Sequence, residues 1–172
     1  KDINNMKLNG CKFEHMNYGK NNELKSYSIY LSNTSERIAT KDTVKDLGVL
    51  ISDDCKFTKY ISNIISKANN KAGWILRTFQ TREKSLMLTL WKSLVIPHLD
   101  YCSQLWSPLT KSHIQEIEMI QRSFVNKINK ISGLSYWDAL KQLKIYSLER
   151  RRERYMIICT WKIIENLAPN IS

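Results

Sequence analysis

Two adjacent aspartates, Asp53 and Asp54, close the run "LGVLISDD". Carboxylates delivered on a turn after an apolar strand can hold divalent cations, and a pair of cations can drive phosphoryl transfer. That chemistry needs further carboxylates converging from separate strands, and upstream Asp2 and Glu14 stand in poor contexts for it. The rival expectation is a helix start. Acidic residues just ahead of a helix favour its positive end, and Asp54 or Thr58 could cap it. The residues alone favour the helix start over a small metal-dependent nuclease or polymerase built on Asp53 and Asp54.

Histidine and cysteine offer a second possible chemistry. Cys11 and His15 are four apart, as are His98 and Cys102, and each pair could supply two ligands to a zinc ion. The spacings are not those of common zinc fingers, and the pairs lie far apart in the chain. The expectation is therefore no metal site. Asp100 and His98, two apart, point to different sides of a helix, so a Cys102 nucleophile with those partners is disfavoured. The four cysteines, Cys11, Cys55, Cys102 and Cys159, form no close pair, and reduced thiols inside the cell are expected.

The basic residues give the broadest signal. The net charge is +11 over 172 residues, an excess that favours an acidic partner. Lys59, Lys67, Lys71 and Arg77 avoid the apolar stripe of one expected helix, and Lys111, Arg122, Lys127 and Lys130 avoid that of another. The segment "LERRRERY" packs Arg150, Arg151, Arg152 and Arg154 into one turn and a half beside Tyr155. Such faces suit phosphate contacts, and nearby aromatic rings suit base stacking. Trp74, Trp91, Trp106, Trp137 and Trp161 could serve as stacking platforms or as large core rings. Trp91 and Trp106 sit inside apolar segments and are expected in a core, while Trp161 and Tyr136 stay open. The competing account is a set of solvated charged faces.

The elements that must position these groups fall into two regimes. Up to about Asp54 the pattern alternates with period two, as in "SYSIYLS", and "VKDLGVLIS" reads as a more buried strand. "CKFEHMNYGKN" reads as a further short strand ended by Gly19. Beyond Asp54 the period becomes helical. Phe57, Ile61, Ile64, Ala68, Ala72, Ile75 and Phe79 share one stripe. A second helix starts near Thr81 with Leu86, Leu90, Leu94 and Val95 on a face, and Pro97 is expected to break or kink it. A third carries Ile114, Ile117, Gln121, Phe124, Ile128 and Ile131 and ends at Gly133. Ser135 and Asp138 form a capping-box spacing, and a final helix runs from near Ser147 to about Asn166. No apolar run is long enough to span a bilayer, so no membrane is expected as a partner. The sequence opens at Lys1 rather than at a methionine and is expected to be a piece of a longer polypeptide.

From Asp46 onward an ordered series of motifs resembles a known family. The blocks are "DLGVLISDDCKF", "LTLWKSLVIPHLDYCSQLWSP", "IQEIEMIQRSFVNKI" and "GLSYWDALKQLKIYSLERRRERY". Together they resemble the region downstream of the catalytic core in jockey-like non-LTR (LINE-type) retrotransposon reverse transcriptases. The likeness runs from about Lys41 to Pro169. Phe57 and Tyr60 stand where that family often has an aromatic residue and a histidine.

The resemblance implies an α+β chain. Residues 1–54 would be a palm remnant, a small antiparallel β-sheet with a primer-grip-like strand at Leu47, Gly48 and Val49. Residues 55–172 would be a helical thumb or connection region. The catalytic aspartate hairpin would precede Cys11 to Gly19, so this chain alone is expected to be non-catalytic and without a cofactor, while the parent enzyme uses Mg. The expected partners are RNA, an RNA/DNA hybrid duplex and the remainder of the reverse transcriptase, in an intracellular setting, nuclear and cytoplasmic. A helical protein–protein interaction module derived from a retroelement is the alternative.

Overall fold

Short β-branched and polar runs give way at Thr58 to long amphipathic ones, and the chain divides there. A computed structural model describes residues 12–19, 26–31 and 34–167. It contains two units, one ending at Phe57 and one beginning at Thr58.

The first unit is built from two-stranded ladders. β2 (Ser28–Leu31) pairs antiparallel with β3 (Thr34–Arg37), with Ser28 opposite Arg37. β5 (Thr43–Asp46) pairs antiparallel with β6 (Val49–Ser52), with Asp46 opposite Val49. β1 (Glu14–His15) pairs with β4 (Ala39–Thr40), and this ladder is parallel. The β-then-α order and the antiparallel strand pairing agree with the α+β class expected, and among the described residues the strands pair as three two-stranded ladders. "VKDLGVLIS" is not one strand either. Leu47 at φ 44° and Gly48 at φ 87° form a tight turn that folds it into a hairpin. Two consecutive positive φ values match the right-handed twist of the flanking strands.

The second unit is helical. α1 (Thr58–Thr78) buries Tyr60, Ile61, Ile64, Ala68, Ala72 and Ile75. Phe57 lies before the helix, at φ 51°, and is not part of its stripe. α2 (Lys84–Leu90) is capped by Glu83, whose carboxylate accepts from the amides of Ser85 and Leu86. The Ser85 hydroxyl, which also donates to this carboxylate, and then those amide bonds hold the Glu83 carboxyl below its ordinary value. α2 continues through a π-helical turn (Trp91–Val95) into α3 (Ile96–Asp100). Pro97 therefore neither breaks nor ends the helix. It has no N–H to offer, and it stands in the first turn of α3, where a missing N–H is tolerated. The buried face is Met87, Trp91, Val95 and Leu99; of the expected face Val95 is buried, while Leu86, Leu90 and Leu94 lie one position off it and are half-buried. Both sets repeat every four residues, so periodicity alone does not separate them.

The chain then turns at Cys102, at φ 51°, into the short α4 (Ser103–Trp106). Trp106 is buried and donates from Nε1 to the Tyr101 carbonyl at 2.7 Å. α5 (Lys111–Val125) ends well before Gly133. Residues 126–134 continue as tight turns, with Ile128 N bonded to Val125 O and Asn129 N to Arg82 O. Ile128 and Ile131 stay buried, which explains why the apolar spacing outlasts the helix. α6 (Tyr136–Leu143) has the expected capping, Ser135 Oγ accepting from Asp138 N at 3.3 Å and donating to the Asp138 carboxylate. α7 (Leu148–Ile164) is capped by Ser147 through Arg150 N.

The core lies where α1 packs on α3 and α5, and α7 packs on α4 and α5. Trp91 and Phe124 stack with ring centroids 4.7 Å apart, which gives Trp91 the core role expected. None of the described helices is long and apolar enough to cross a membrane.

Candidate nucleic-acid interface

The buried stripe of α1 fixes what the opposite side presents. With Ile64, Ala68, Ala72 and Ile75 facing inward, Lys67, Asn70, Lys71, Trp74 and Arg77 fall on one outer face at three- and four-residue steps. His98 on α3 joins them, and together they line a cavity of about 420 Å³. No acidic residue is among the described lining residues. Lys71 Nζ lies 5.8 Å from the centroid of the Trp74 ring, which is 44% exposed. Phe79 meets the Trp74 ring edge-on at 6.1 Å. The face from Lys67 to Arg77 extends ~15 Å along the helix, the axial rise of about four nucleotides of one strand.

Lys67, Lys71 and Arg77 were the cations expected here; Asn70, Trp74 and His98 complete the groove. Asn70 could have been placed here from the helical period, because it lies three residues from Lys67. His98 could not, since it arrives from another helix.

The other basic residues are dispersed. Arg122 is exposed and its guanidinium lies 4.8 Å over the Tyr136 ring. Lys127 and Lys130 are exposed on the turns after α5, not on a helix, and Lys130 is left-handed at φ 64°. Lys59 is exposed on the first turn of α1.

The arginine cluster does not act as one patch. Successive residues point about 100° apart around a helix, so four of them within a turn and a half cannot share a face. Arg150 and Arg154, four apart, are exposed on one side. Arg151 turns inward and forks onto Asp100, with Nε at 3.0 and 2.8 Å and Nη2 at 2.7 Å. Its hydrogen bonds to Asp100 raise the guanidinium further above its ordinary value. Arg152 is only 4% exposed, and burial presses its guanidinium down from the usual value against the nearby Glu118, Glu149, Asp100 and Glu153 carboxylates. The four arginines expected at one interface therefore do not form a single exposed patch: Arg151 is engaged by Asp100 and Arg152 is buried.

Asp53 and Asp54 are also placed. Asp54 Oδ1 accepts from Lys56 N at 3.1 Å, and its Oδ2 lies 3.5 Å from Lys56 Nζ. This closes the turn ahead of α1, so Asp54 caps the turn and not the helix. Asp53 N bonds to Asp42 O at 3.0 Å. Among the described residues no group of three or more His, Cys, Asp and Glu side chains converges as metal ligands. Cys11 lies outside the described residues, and Cys55, Cys102 and Cys159 are free thiols. Leu47, at the tip of the β5–β6 hairpin, is 84% exposed, while Val49 beside it is buried.

Among known proteins the chain is similar to a retrotransposon polymerase. The relative is the probable RNA-directed DNA polymerase from transposon X-element of Drosophila melanogaster, 29% identical over 99 residues. The match spans 56% of this chain and 10% of that protein. An uncharacterized protein of Caenorhabditis elegans is 29% identical over 121 residues, 67% of this chain and 60% of the worm protein. No protein-family model matches the chain, and no solved structure matches it.

Proposed function

We propose that this chain is a nucleic-acid-binding part of a retroelement reverse transcriptase, drawn from the region after the catalytic core of a jockey-like, LINE-type enzyme. The helical unit acts as a thumb that holds an RNA/DNA template–primer duplex by its backbone. The observation that carries this is the acid-free groove of Lys67, Asn70, Lys71, Trp74, Arg77 and His98. Phosphates are met by cations on a rigid helix, without base readout, which suits a duplex whose sequence changes at every step. The similarity to the X-element polymerase supports the parentage. In this reading the chain binds and positions, and the Mg-dependent chemistry belongs to the preceding part of the polypeptide. Leu47, Gly48 and Val49 would bring the hairpin tip to the primer end. The setting is intracellular, nuclear and cytoplasmic.

The test is binding of the purified chain to a labelled RNA/DNA hybrid at two salt concentrations. Binding at low salt that weakens steeply at higher salt supports the assignment. No binding at low salt contradicts it.

A second reading, a helical interaction module derived from a retroelement, is favoured by one observation. Ile157, Trp161 and Ile164 lie along one exposed side of α7 at 69%, 52% and 71% exposure. In the reverse-transcriptase reading that side faces the remainder of the polypeptide. A chain that binds no hybrid at low salt yet self-associates or captures a defined protein through α7 would favour the module.

A further inference from the structure

The corner between α6 and α7 carries a second cavity, which shares no lining residue with the α1 face. Trp137, Leu140, Lys141, Lys144, Ile145, Tyr146, Ser147 and Arg150 line about 410 Å³. Two large rings stand open at its edge, Trp137 at 59% exposure and Tyr146 at 52%. Three cations, Lys141, Lys144 and Arg150, accompany them, and no acidic residue is among the described lining residues. The Arg150 guanidinium lies 5.6 Å from the Tyr146 ring centroid.

The corner is held from behind. Gln121, buried on α5, donates from Nε2 to the Tyr146 carbonyl at 3.0 Å. Lys84 Nζ donates to the Gln142 carbonyl at 2.7 Å. Glu118 accepts from the amides of Leu148 and Glu149 at 3.2 and 3.1 Å, which fixes the first turn of α7. Lys144 is left-handed, at φ 54°, where glycine is the favoured residue. A lysine there is disfavoured for folding but places a cation at the rim of the cavity.

We infer that this pocket takes an unpaired nucleotide of a single-stranded nucleic acid, with Trp137 and Tyr146 against the base and Lys141, Lys144 and Arg150 against the flanking phosphates. The inference rests on the nucleic-acid reading above and adds a site to it. Aromatic faces accept any base, and cations beside them hold the backbone. Inside a duplex both faces of each base are covered by neighbours, so a ring can stack only on a base splayed out of pairing. The volume falls within the roughly 300–1,000 Å³ typical of small-ligand sites. An acidic peptide would also satisfy the three cations, and it is the competing occupant in the test.

Two variants keep the fold. Trp137→Leu alters an exposed ring, and Lys144→Gly places glycine where the backbone prefers it. The probes are a single-stranded oligouridylate, a blunt RNA/DNA hybrid of the same length, and a hexaglutamate peptide as competitor. Each variant should lose about tenfold in affinity for an oligouridylate of about 12 nucleotides, with hybrid affinity unchanged. Unchanged oligouridylate affinity, equal losses on both probes, or efficient competition by hexaglutamate overturns the inference. If the unaltered chain binds the hybrid while Trp137→Leu leaves oligouridylate binding intact, only this inference fails. If the unaltered chain binds neither nucleic acid, the proposed function fails with it.

Discussion

Asp100 on α3 and Arg151 on α7 meet across 51 residues of chain, with Arg151 Nε bonded to both carboxylate oxygens. Tyr155 closes the group, its hydroxyl 2.7 Å from Arg151 Nη2 and 3.3 Å from Asp100 Oδ2. This contact ties the last helix to the helix that follows the π turn. It also turns the Arg151 guanidinium onto a carboxylate of its own chain.

Asp100→Asn should therefore loosen α7. The Arg151 side chain is 36% exposed, so solvent screening limits the loss. A cost of about 1–2 kcal/mol follows for a charge-assisted pair of this kind. Urea unfolding should show a lower midpoint with an unchanged slope. A midpoint equal to that of the parent would mean the pair contributes nothing to stability.

Tyr136 is half-buried and donates to Glu118, the same carboxylate that caps α7. Burial, and then the Glu118 carboxylate, push the Tyr136 hydroxyl well above its ordinary 10.0. The folded state thus holds this proton more tightly than the unfolded state. The stability it confers is complete below pH 10.0 and is lost as pH rises above that value. Tyr136→Phe should be less stable at neutral pH, and the gap from the parent should narrow in alkali. Thermal melts from neutral to strongly alkaline pH would measure it, and a constant gap would refute the linkage.

Gly73 sits in the middle of α1, where a methyl group would lie 3.2 Å from Arg77 Nη1. The neighbour is the tip of a flexible side chain and can move aside. Gly73→Ala should raise stability by about 0.5–1 kcal/mol through helix propensity. A lowered melting temperature would show that Arg77 is held too firmly to yield.

The α+β order was legible in the change of period near Asp54, and so were the α1 stripe and the Ser135 and Ser147 caps. These signals are local, and local bonds carry them out. The Leu47–Gly48 turn was hidden because Leu47 takes a left-handed conformation that its residue type disfavours. The end of α5 was hidden because Ile128 and Ile131 keep helical spacing on tight turns. In the site, Lys67, Lys71 and Arg77 were visible as residues that avoid the stripe. The inward course of Arg151 and Arg152 was not, because the partner Asp100 lies far away in sequence. Lys141, Lys144, Trp137 and Tyr146 gather where α6 turns into α7, a corner whose Tyr146 carbonyl is held by Gln121 from α5.

The central claim is that the α1 face meets phosphates. The direct measurement is the salt dependence of hybrid binding for the triple variant Lys67→Gln, Lys71→Gln, Arg77→Gln. The slope of log affinity against log salt should fall by about 2–3, close to 0.9 for each phosphate contact removed. Arg151→Gln with Arg152→Gln should lower the melting temperature and leave the slope unchanged. An unaltered slope in the triple variant would contradict the account.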